Sequence, residues 1–190
     1  MAQVMAEKGY VATSVADVLQ RSGVSRQSFY QVFTDKLDCF MAAFDAAAEL
    51  LMQRLLEMAG ADEGAMPGPE AGNDPLQRFE WAFTAYLEAL AIELPYTRLF
   101  LVEVYAAGPE AIRRRTGLQA AITEALADLM GVTDEAGRFT CQMVVAATST
   151  LVTNAVADND LEALQAVGPQ LVGHVRTLWN AGAFGGHPVS

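Results

Sequence analysis

Residues 9–41 read GYVATSVADVLQRSGVSRQSFYQVFTDKLDCFM, and this stretch decides the fold. Val15, Val18 and Leu19 recur at the spacing of one apolar helix face. Ser14 and Asp17 form the Ser-x-x-Asp pattern of a capping box, which predicts that the helix begins there. Gly23 then stands where a helix needs a left-handed residue to end. The pattern therefore predicts one amphipathic helix that closes in a tight turn.

A second, shorter helix is expected directly after that turn. Ser25 can cap it, and Arg26, Gln27 and Ser28 fall on its first turn. Val24, in the turn itself, is expected to fill the core between the two helices. A helix, a glycine turn and a short helix with a polar front make up the helix-turn-helix, which presents its second helix to the major groove of DNA.

The same stretch resembles the DNA-binding domain of the tetracycline-repressor (TetR) family of bacterial regulators. The residues that match the family pattern at fixed spacing are Gly9, Tyr10, Thr13, Ser14, Val15, Asp17, Val18, Gly23, Val24, Ser25, Phe29, Tyr30, Phe33 and Lys36. Val32 replaces a polar or histidine residue common in the family, and Gln27 replaces a small one. The resemblance implies a DNA-binding head, a C-terminal domain that varies with its ligand, and a dimeric regulator that is most often a repressor.

The predicted DNA contacts lie in and around the second helix. Arg26 and Gln27 carry groups that pair bidentately with guanine and adenine edges, although both could simply be solvated. Ser28 is expected to contact phosphate, which fixes register without reading sequence; the resemblance implies the same role for Thr13, Tyr30 and Lys36. The full predicted DNA-binding set is Thr13, Ser25, Arg26, Gln27, Ser28, Tyr30 and Lys36.

The charge distribution opens an alternative function. The formal net charge is −11, although phosphate attraction dominates the affinity of most DNA-binding proteins. Residues 1–58 carry 5 Lys or Arg against 7 Asp or Glu, whereas the rest carry 7 against 16. The acidic residues thus lie mainly outside the predicted head, yet residues 1–8 do not form a basic arm. The alternative is a helical protein that binds a small molecule and whose DNA binding is weakened or lost.

The chain is predicted to be all α, with no alternating strand pattern. Residues 1–58 form the head, which ends in a long connecting helix over Asp35–Met58. Residues 59–75 are rich in Gly, Ala, Pro and acid and predict a flexible connector. Residues 76–190 form the ligand-binding and dimerisation domain. Its expected helices are Leu76–Leu94, Tyr96–Ala107, Glu110–Met130, Asp134–Ala157 and Leu161–Ala181, with Pro169 at the start of the main helix of the last segment.

The C-terminal domain is rich in aromatic and methionine side chains, which can form either a solid core or a cavity. The resemblance implies a cavity for a small, largely apolar effector, oriented by a few polar groups. The predicted lining is Trp81, Tyr86, Arg98, Phe100, Glu103, Tyr105, Gln142 and Met143. The basic run Arg113–Arg115 could bind an anion, but a solvated, salt-bridged turn is the favoured interpretation.

A homodimer is predicted through the last two helices, which would form a four-helix bundle. One stripe steps by three or four residues through Leu161, Leu164, Gly168, Leu171, Val175 and Leu178. Ala146, Ala147 and Ser149 allow close approach on the preceding helix. The uncharged stretch Phe139–Ala157 is interpreted as buried by its own core and by a partner subunit, and not by lipid.

Nothing in the sequence indicates catalysis. Cys39 and Cys141 have no metal-ligand spacing, nor do His174 and His187, and no nucleophile–base set is evident. We therefore expect no enzyme activity, no cofactor and no metal. Met1–Glu7 lacks the pattern of a secretory signal, which favours the bacterial cytoplasm. The expected function is a ligand-responsive DNA-binding regulator that is released from operator DNA by its effector.

Overall fold

A computed structural model describes residues 1–61 and 74–185, without the side chains of Met52 and residues 54–61. These residues form α-helices and one π-helical segment, and they contain no strand, so the all-α prediction is confirmed. In chain order the elements are α1 (Ala2–Ala12), α2 (Val15–Ser22), α3 (Arg26–Val32), α4 (Lys36–Ala61), α5 (Pro75–Ile92), α6 (Leu94–Arg98), the π segment (Leu99–Glu103), α7 (Val104–Ala107), α8 (Pro109–Met130), α9 (Glu135–Ala157) and α10 (Leu161–Asn180).

The ends of α2 and α3 follow the local signals in the sequence. Ser14 and Asp17 form a complete capping box, in which each side chain binds the other residue's backbone N–H. Gly23 ends α2 with a φ of 70°, the left-handed conformation that glycine adopts without strain. Ser25 caps α3 by accepting a hydrogen bond from the Ser28 N–H. The helix-turn-helix therefore has the predicted geometry.

A small core holds α2, α3 and the start of α4 together. It contains the buried side chains of Val18, Phe29 and Cys39. Val24 does not join it: its side chain is 44% exposed, so the expectation that Val24 fills the core is wrong. Phe29 occupies the space between the helices instead, because its larger ring spans the gap from α3 to α4.

A larger core fills the rest of the protein and includes α1. Ala2 and Met5 of α1 are buried in it together with Phe40 and Phe44 of α4. The rings of Phe44 and Phe100 stack with their centroids 4.8 Å apart. The first helix thus packs on the C-terminal body as well as on α2, which ties the two regions together before the chain reaches α4.

Several helix boundaries differ from the predicted ones. The helix expected over Tyr96–Ala107 is three consecutive segments, of which the middle one is π-helical. Pro169 lies inside α10, which begins at Leu161 after the Asp160 cap. The proline is the ninth residue of the helix and removes one backbone N–H from the helix interior without ending the helix. Helix α4 continues to Ala61, and residues 62–73 of the predicted connector lie outside the described residues.

One helix, α9, is long and apolar enough to cross a membrane when judged by length and composition alone. Its inner face, which includes Cys141, Val144 and Val152, is buried in the main core. Its outer face is exposed and includes Phe139, Met143 and Leu151. The helix therefore has one face that the rest of this chain leaves uncovered.

Candidate nucleic-acid interface

The beginning of α3 presents a row of exposed polar side chains. The exposed members of the predicted DNA-binding set are Ser25, Arg26, Gln27, Ser28 and Tyr30. Arg26 and Gln27 make no side-chain hydrogen bond or ion pair with any other described residue, so their donors are available. The Tyr30 ring, 49% exposed, packs edge-on against Phe29, which fixes its position beside the helix.

Two ion pairs hold α1 against α2 behind this row. Lys8 binds Asp17, and Arg21 binds Glu7. The hydrogen bond from Lys8, helped by those from Ser14, lowers the pKa of Asp17 far below its usual range. These pairs fix the position of α2 and, through it, that of α3. They also engage two cations of the head in contacts within the protein.

Lys36 is bound inside the protein as well. Its ammonium donates to the carbonyl oxygens of Tyr10 at 2.9 Å and Thr13 at 3.0 Å. It also lies 4.1 Å from the centre of the Tyr10 ring, within cation–π distance. A cation at the C-terminal carbonyls of a helix is favourable, so Lys36 joins the end of α1 to the start of α4. The predicted phosphate contact by Lys36 stays a prediction, and the structure gives this side chain a second role.

Thr13 does not belong to the exposed surface. Its side chain is 2% exposed, and its hydroxyl donates to the Gly9 carbonyl at 2.7 Å. A hydroxyl that is buried and already bonded is not available to a phosphate, so the structure corrects the predicted role of Thr13. The surface that remains for DNA is the exposed row Ser25–Ser28 with Tyr30.

Comparison with known proteins agrees with this geometry. Residues 2–43 match the family described as bacterial regulatory proteins, tetR family. The match spans α1, α2, α3 and the beginning of α4. This N-terminal domain therefore belongs to the tetR family.

A similar protein of known name supports the same assignment. The chain is 32% identical over 95 residues to a Bacillus subtilis (strain 168) protein named the uncharacterized HTH-type transcriptional regulator YezE. The aligned part covers 48% of this chain, and the chain spans about half the length of that relative. No solved structure matches the chain significantly. The C-terminal body of this tetR-family protein must therefore be interpreted from its own residues.

The predicted ligand-lining residues of the tetR-family protein do not surround one cavity. Phe100 is buried in the core against Phe44, whereas Gln142 and Met143 lie exposed on the outer face of α9. A cavity beside Phe100, between α4 and α5, has room for only about 10 Å³, about one water probe. The large apolar residues fill the body with core packing because helices on both sides contact them. In this conformation the predicted residues are thus not brought together, and the ligand cavity stays a prediction.

Arg98 and Glu103 form a buried link between helices. Glu103 is 6% exposed and accepts a hydrogen bond from the Tyr10 N–H at 2.6 Å. Its other oxygen lies 3.6 Å from the Arg98 Nε. Arg98 in turn donates to the Val156 carbonyl at the end of α9. These two residues, expected to line a ligand cavity, instead connect α1, the π segment and α9.

Gly9 allows this link to form. It has a φ of 75° and ψ of 164° and kinks α1, which turns the Tyr10 N–H away from the helix and toward Glu103. This backbone region is essentially restricted to glycine. The Gly-aromatic pair singled out in the sequence therefore has a structural role at the contact between head and body.

Tyr105 contacts Arg115, a residue that the sequence analysis placed on the surface. Arg115, interpreted as part of a solvated basic turn, is only 6% exposed, and its guanidinium donates to the Tyr105 hydroxyl at 2.6 Å. Its neighbours in the run, Arg113 and Arg114, are exposed. The spacing from Ala111 to Arg115 to Leu118 follows one helix face, and this signal could have shown that Arg115 points inward.

The structure also corrects the predicted dimer stripe. Leu164, Leu171 and Val175 of α10 are buried inside their own subunit, at 1%, 7% and 1% exposure. Ser149 is turned inward too and accepts hydrogen bonds from Arg115 and Gln119. These members of the stripe pack on α5 and α9 because that face covers the main core, whereas Leu161, the first member, is 47% exposed. A partner could contact the outer face of α9 and the exposed start of α10.

The described part of the chain has two open grooves beside its helices, among others, and no metal cluster. One groove of about 870 Å³ lies between α8 and α9 and includes Gln119 and Phe139. A second, of about 280 Å³, lies where α6 meets α1, α9 and α10 and includes Arg98. Within residues 1–61 and 74–185, no group of three or more His, Cys, Asp or Glu side chains could hold a metal ion.

Proposed function

We propose that the protein is a transcriptional regulator that binds operator DNA with α3 in the major groove. The observation that carries this proposal is the first turn of α3, where Arg26 and Gln27 are exposed and unpaired behind the Gly23 turn. Side chains of these types at the start of a recognition helix read base edges in the major groove. The match of residues 2–43 to the tetR family supports the same role.

Selection of bound DNA from a random pool tests this proposal. The wild-type protein should enrich one sequence, and Arg26→Ala and Gln27→Ala should each relax the preference at one base pair, by about 1–3 kcal/mol. Arg113→Ala is the matched control, because it removes an exposed arginine from α8. Failure to enrich any sequence, or an equal effect of Arg113→Ala, would argue against DNA reading by α3.

We further propose that the regulator acts as a homodimer through the outer faces of α9 and α10. The exposed side chains that support this surface are Phe139 (59%), Met143 (47%), Leu151 (44%) and Leu161 (47%). A contiguous apolar face on a soluble helix commonly marks a contact with another protein. Ala146 and Ala147, also exposed on α9, would let a second copy approach closely. A dimer would place two α3 helices on half-sites about one DNA turn, or a multiple of it, apart.

We infer that a small molecule bound in the body lowers operator affinity, so that the protein acts as a repressor in the bacterial cytoplasm. A ligand changes DNA affinity only if it binds the DNA-competent and incompetent states differently, typically by about 1–3 kcal/mol. Two connections can carry such a change: the long helix α4 and the Tyr10–Glu103 contact of α1. A gel shift on the selected DNA, with and without a bound compound, tests the coupling directly.

One observation favours the alternative function, a small-molecule-binding protein with weak DNA binding. Of the four cations in residues 1–43, Lys8, Arg21 and Lys36 are bound within the head, and only Arg26 is unpaired. With a net charge of −11, phosphate attraction is small. The DNA selection separates the two functions, because the alternative predicts no enriched sequence even at low salt.

A further inference from the structure

Arg115 is a buried cation surrounded by neutral groups. It is 6% exposed and donates to the Tyr105 hydroxyl at 2.6 Å, the Ser149 hydroxyl at 2.7 Å and the Thr153 hydroxyl at 3.3 Å. Its Nε–H is buried and has no acceptor. The guanidinium therefore has donors that the protein does not satisfy, at the junction of α7, α8 and α9.

No carboxylate balances this charge within the described residues. The ion pairs there join other residues, including Arg114 to Asp45 on the opposite side of the same turn. Tyr86, a further ionisable group near Arg115, does not supply a negative charge, because burial raises the pKa of its phenol to about 12. A buried charge without a partner costs several kcal/mol, and proteins rarely keep one that only holds hydroxyl groups.

The guanidinium is linked to an open groove through the side chains of Ser149 and Gln119. Gln119 donates to the Ser149 hydroxyl at 2.8 Å, and Gln119 also lines the groove between α8 and α9. Both side chains are partly buried and can change rotamer. The groove itself is mixed: its lining includes the apolar side chains of Ala120 and Val145 and the carboxylates of Glu124 and Glu135. Rotation of Gln119 and Ser149 would open the groove to the unsatisfied cation.

We propose that Arg115 is the anchor of a binding site for a small carboxylate that has an apolar tail. The planar guanidinium matches a carboxylate in shape and hydrogen-bond geometry, and a single negative charge balances its single positive charge. The Ser149 and Tyr105 hydroxyls would complete the contacts, while the tail would lie in the groove beside Val145. This inference deepens the proposed function by giving the charge class of the effector, and it replaces the largely apolar effector that the sequence analysis expected.

Binding to the DNA-free protein tests the site separately from the proposed regulation. Hexanoate and benzoate should raise the melting temperature of the wild-type protein, whereas methyl hexanoate and hexylamine should not. Calorimetric titration should show that Arg115→Met weakens hexanoate binding at least ten-fold. Arg115→Met replaces the guanidinium by a shorter, flexible and uncharged side chain, so the variant without ligand should be at least as stable as the wild type. Arg114→Met is the matched control and should bind hexanoate as the wild type does.

Three results would overturn the proposal. They are equal stabilisation by hexanoate and methyl hexanoate, equal binding by Arg115→Met and wild type, and loss of binding in the Arg114→Met control. If Arg115→Met does not fold, Arg115→Lys replaces it: the planar fork is lost but the charge stays, so hexanoate should bind more weakly than to the wild type and more tightly than the methyl ester. Equal binding by Arg115→Lys and wild type would also contradict the site. Hexanoate binding without any enriched DNA would uphold the site and reject the regulator.

Discussion

The Lys36 ammonium connects two helices through the backbone carbonyls of Tyr10 and Thr13. Lys36→Ala should therefore lower the free energy of unfolding by about 1–3 kcal/mol, because hydrogen bonds from a charged donor are lost. Urea unfolding followed by circular dichroism measures this change. Arg26→Ala, which removes an unpaired cation from the same domain, is the control and should leave stability unchanged. Unchanged stability in Lys36→Ala, together with weaker binding to every DNA sequence, would show that Lys36 acts only as a phosphate contact.

Asp17 makes the stability of the head depend on pH. The pKa of its carboxyl is lowered in the folded state by Lys8 and Ser14, so its stabilising contribution is complete above its unfolded pKa, about 3.9, and is lost as the pH falls toward the folded value. In Asp17→Asn, stability should fall less steeply between about pH 5 and pH 3 than in the wild type. Urea titrations at a series of pH values measure the slopes. Asp128→Asn, on α8, is the control, and a slope in Asp17→Asn equal to the wild type would contradict the assignment.

At the scale of the elements, the π segment brings head and body together. A π-helical turn shifts the following residues around the axis, and such turns often occur at functional positions. Here the segment ends at Glu103, whose carboxylate reaches the Tyr10 N–H where Gly9 kinks α1. The contact therefore depends on two backbone irregularities that face each other, one in α1 and one between α6 and α7.

Removal of the Glu103 carboxylate should loosen this contact. Glu103→Ala leaves Arg98 without its carboxylate partner, and breaking a buried pair costs roughly 3 kcal/mol. The Tyr10 amide should then exchange with solvent faster than its neighbours in α1, as measured by hydrogen exchange with NMR detection. Glu88→Ala, an exposed change on α5, serves as the control. Unaltered protection of the Tyr10 amide would show that the contact does not hold α1 to the body.

The same elements show which features the sequence could predict. The caps of α2 and α3 were predictable, because Ser14, Asp17, Gly23 and Ser25 act within a few residues of their own helix. The burial of Arg115 could have been predicted from its spacing with Ala111 and Leu118. The burial of Leu164 inside its own subunit could not, because a spacing of three or four identifies a helix face without identifying what covers it. The apolar face of α10 packs on its own subunit, although the same pattern fits a dimer contact. Thr13 was misplaced since the family motif gave its position but not its burial.

At the scale of the whole molecule, the outer face of α9 determines the oligomeric state that we expect. Phe139→Glu should place a charge in the centre of the proposed dimer contact and convert the protein to a monomer at micromolar concentration. Sedimentation velocity measures the change. Ile92→Glu is the control, because Ile92 is 64% exposed at the end of α5, away from α9. Phe139→Glu that sediments as the wild type does would exclude this face, and a monomeric wild type would exclude the dimer.

The head's cations bind partners within the protein itself, and this affects how the protein would search a chromosome for its site. A DNA-binding protein must find one site among millions of overlapping competitors, and its occupancy depends on how strongly those competitors retain it. With Lys8, Arg21 and Lys36 engaged in the fold, we expect this head to attract bulk DNA weakly. More copies would then stay free in solution, where the effector that we propose would meet them before they bind. A regulator of this kind would depend on base contacts to stay bound at its site. Few copies per cell would then suffice for a prompt response.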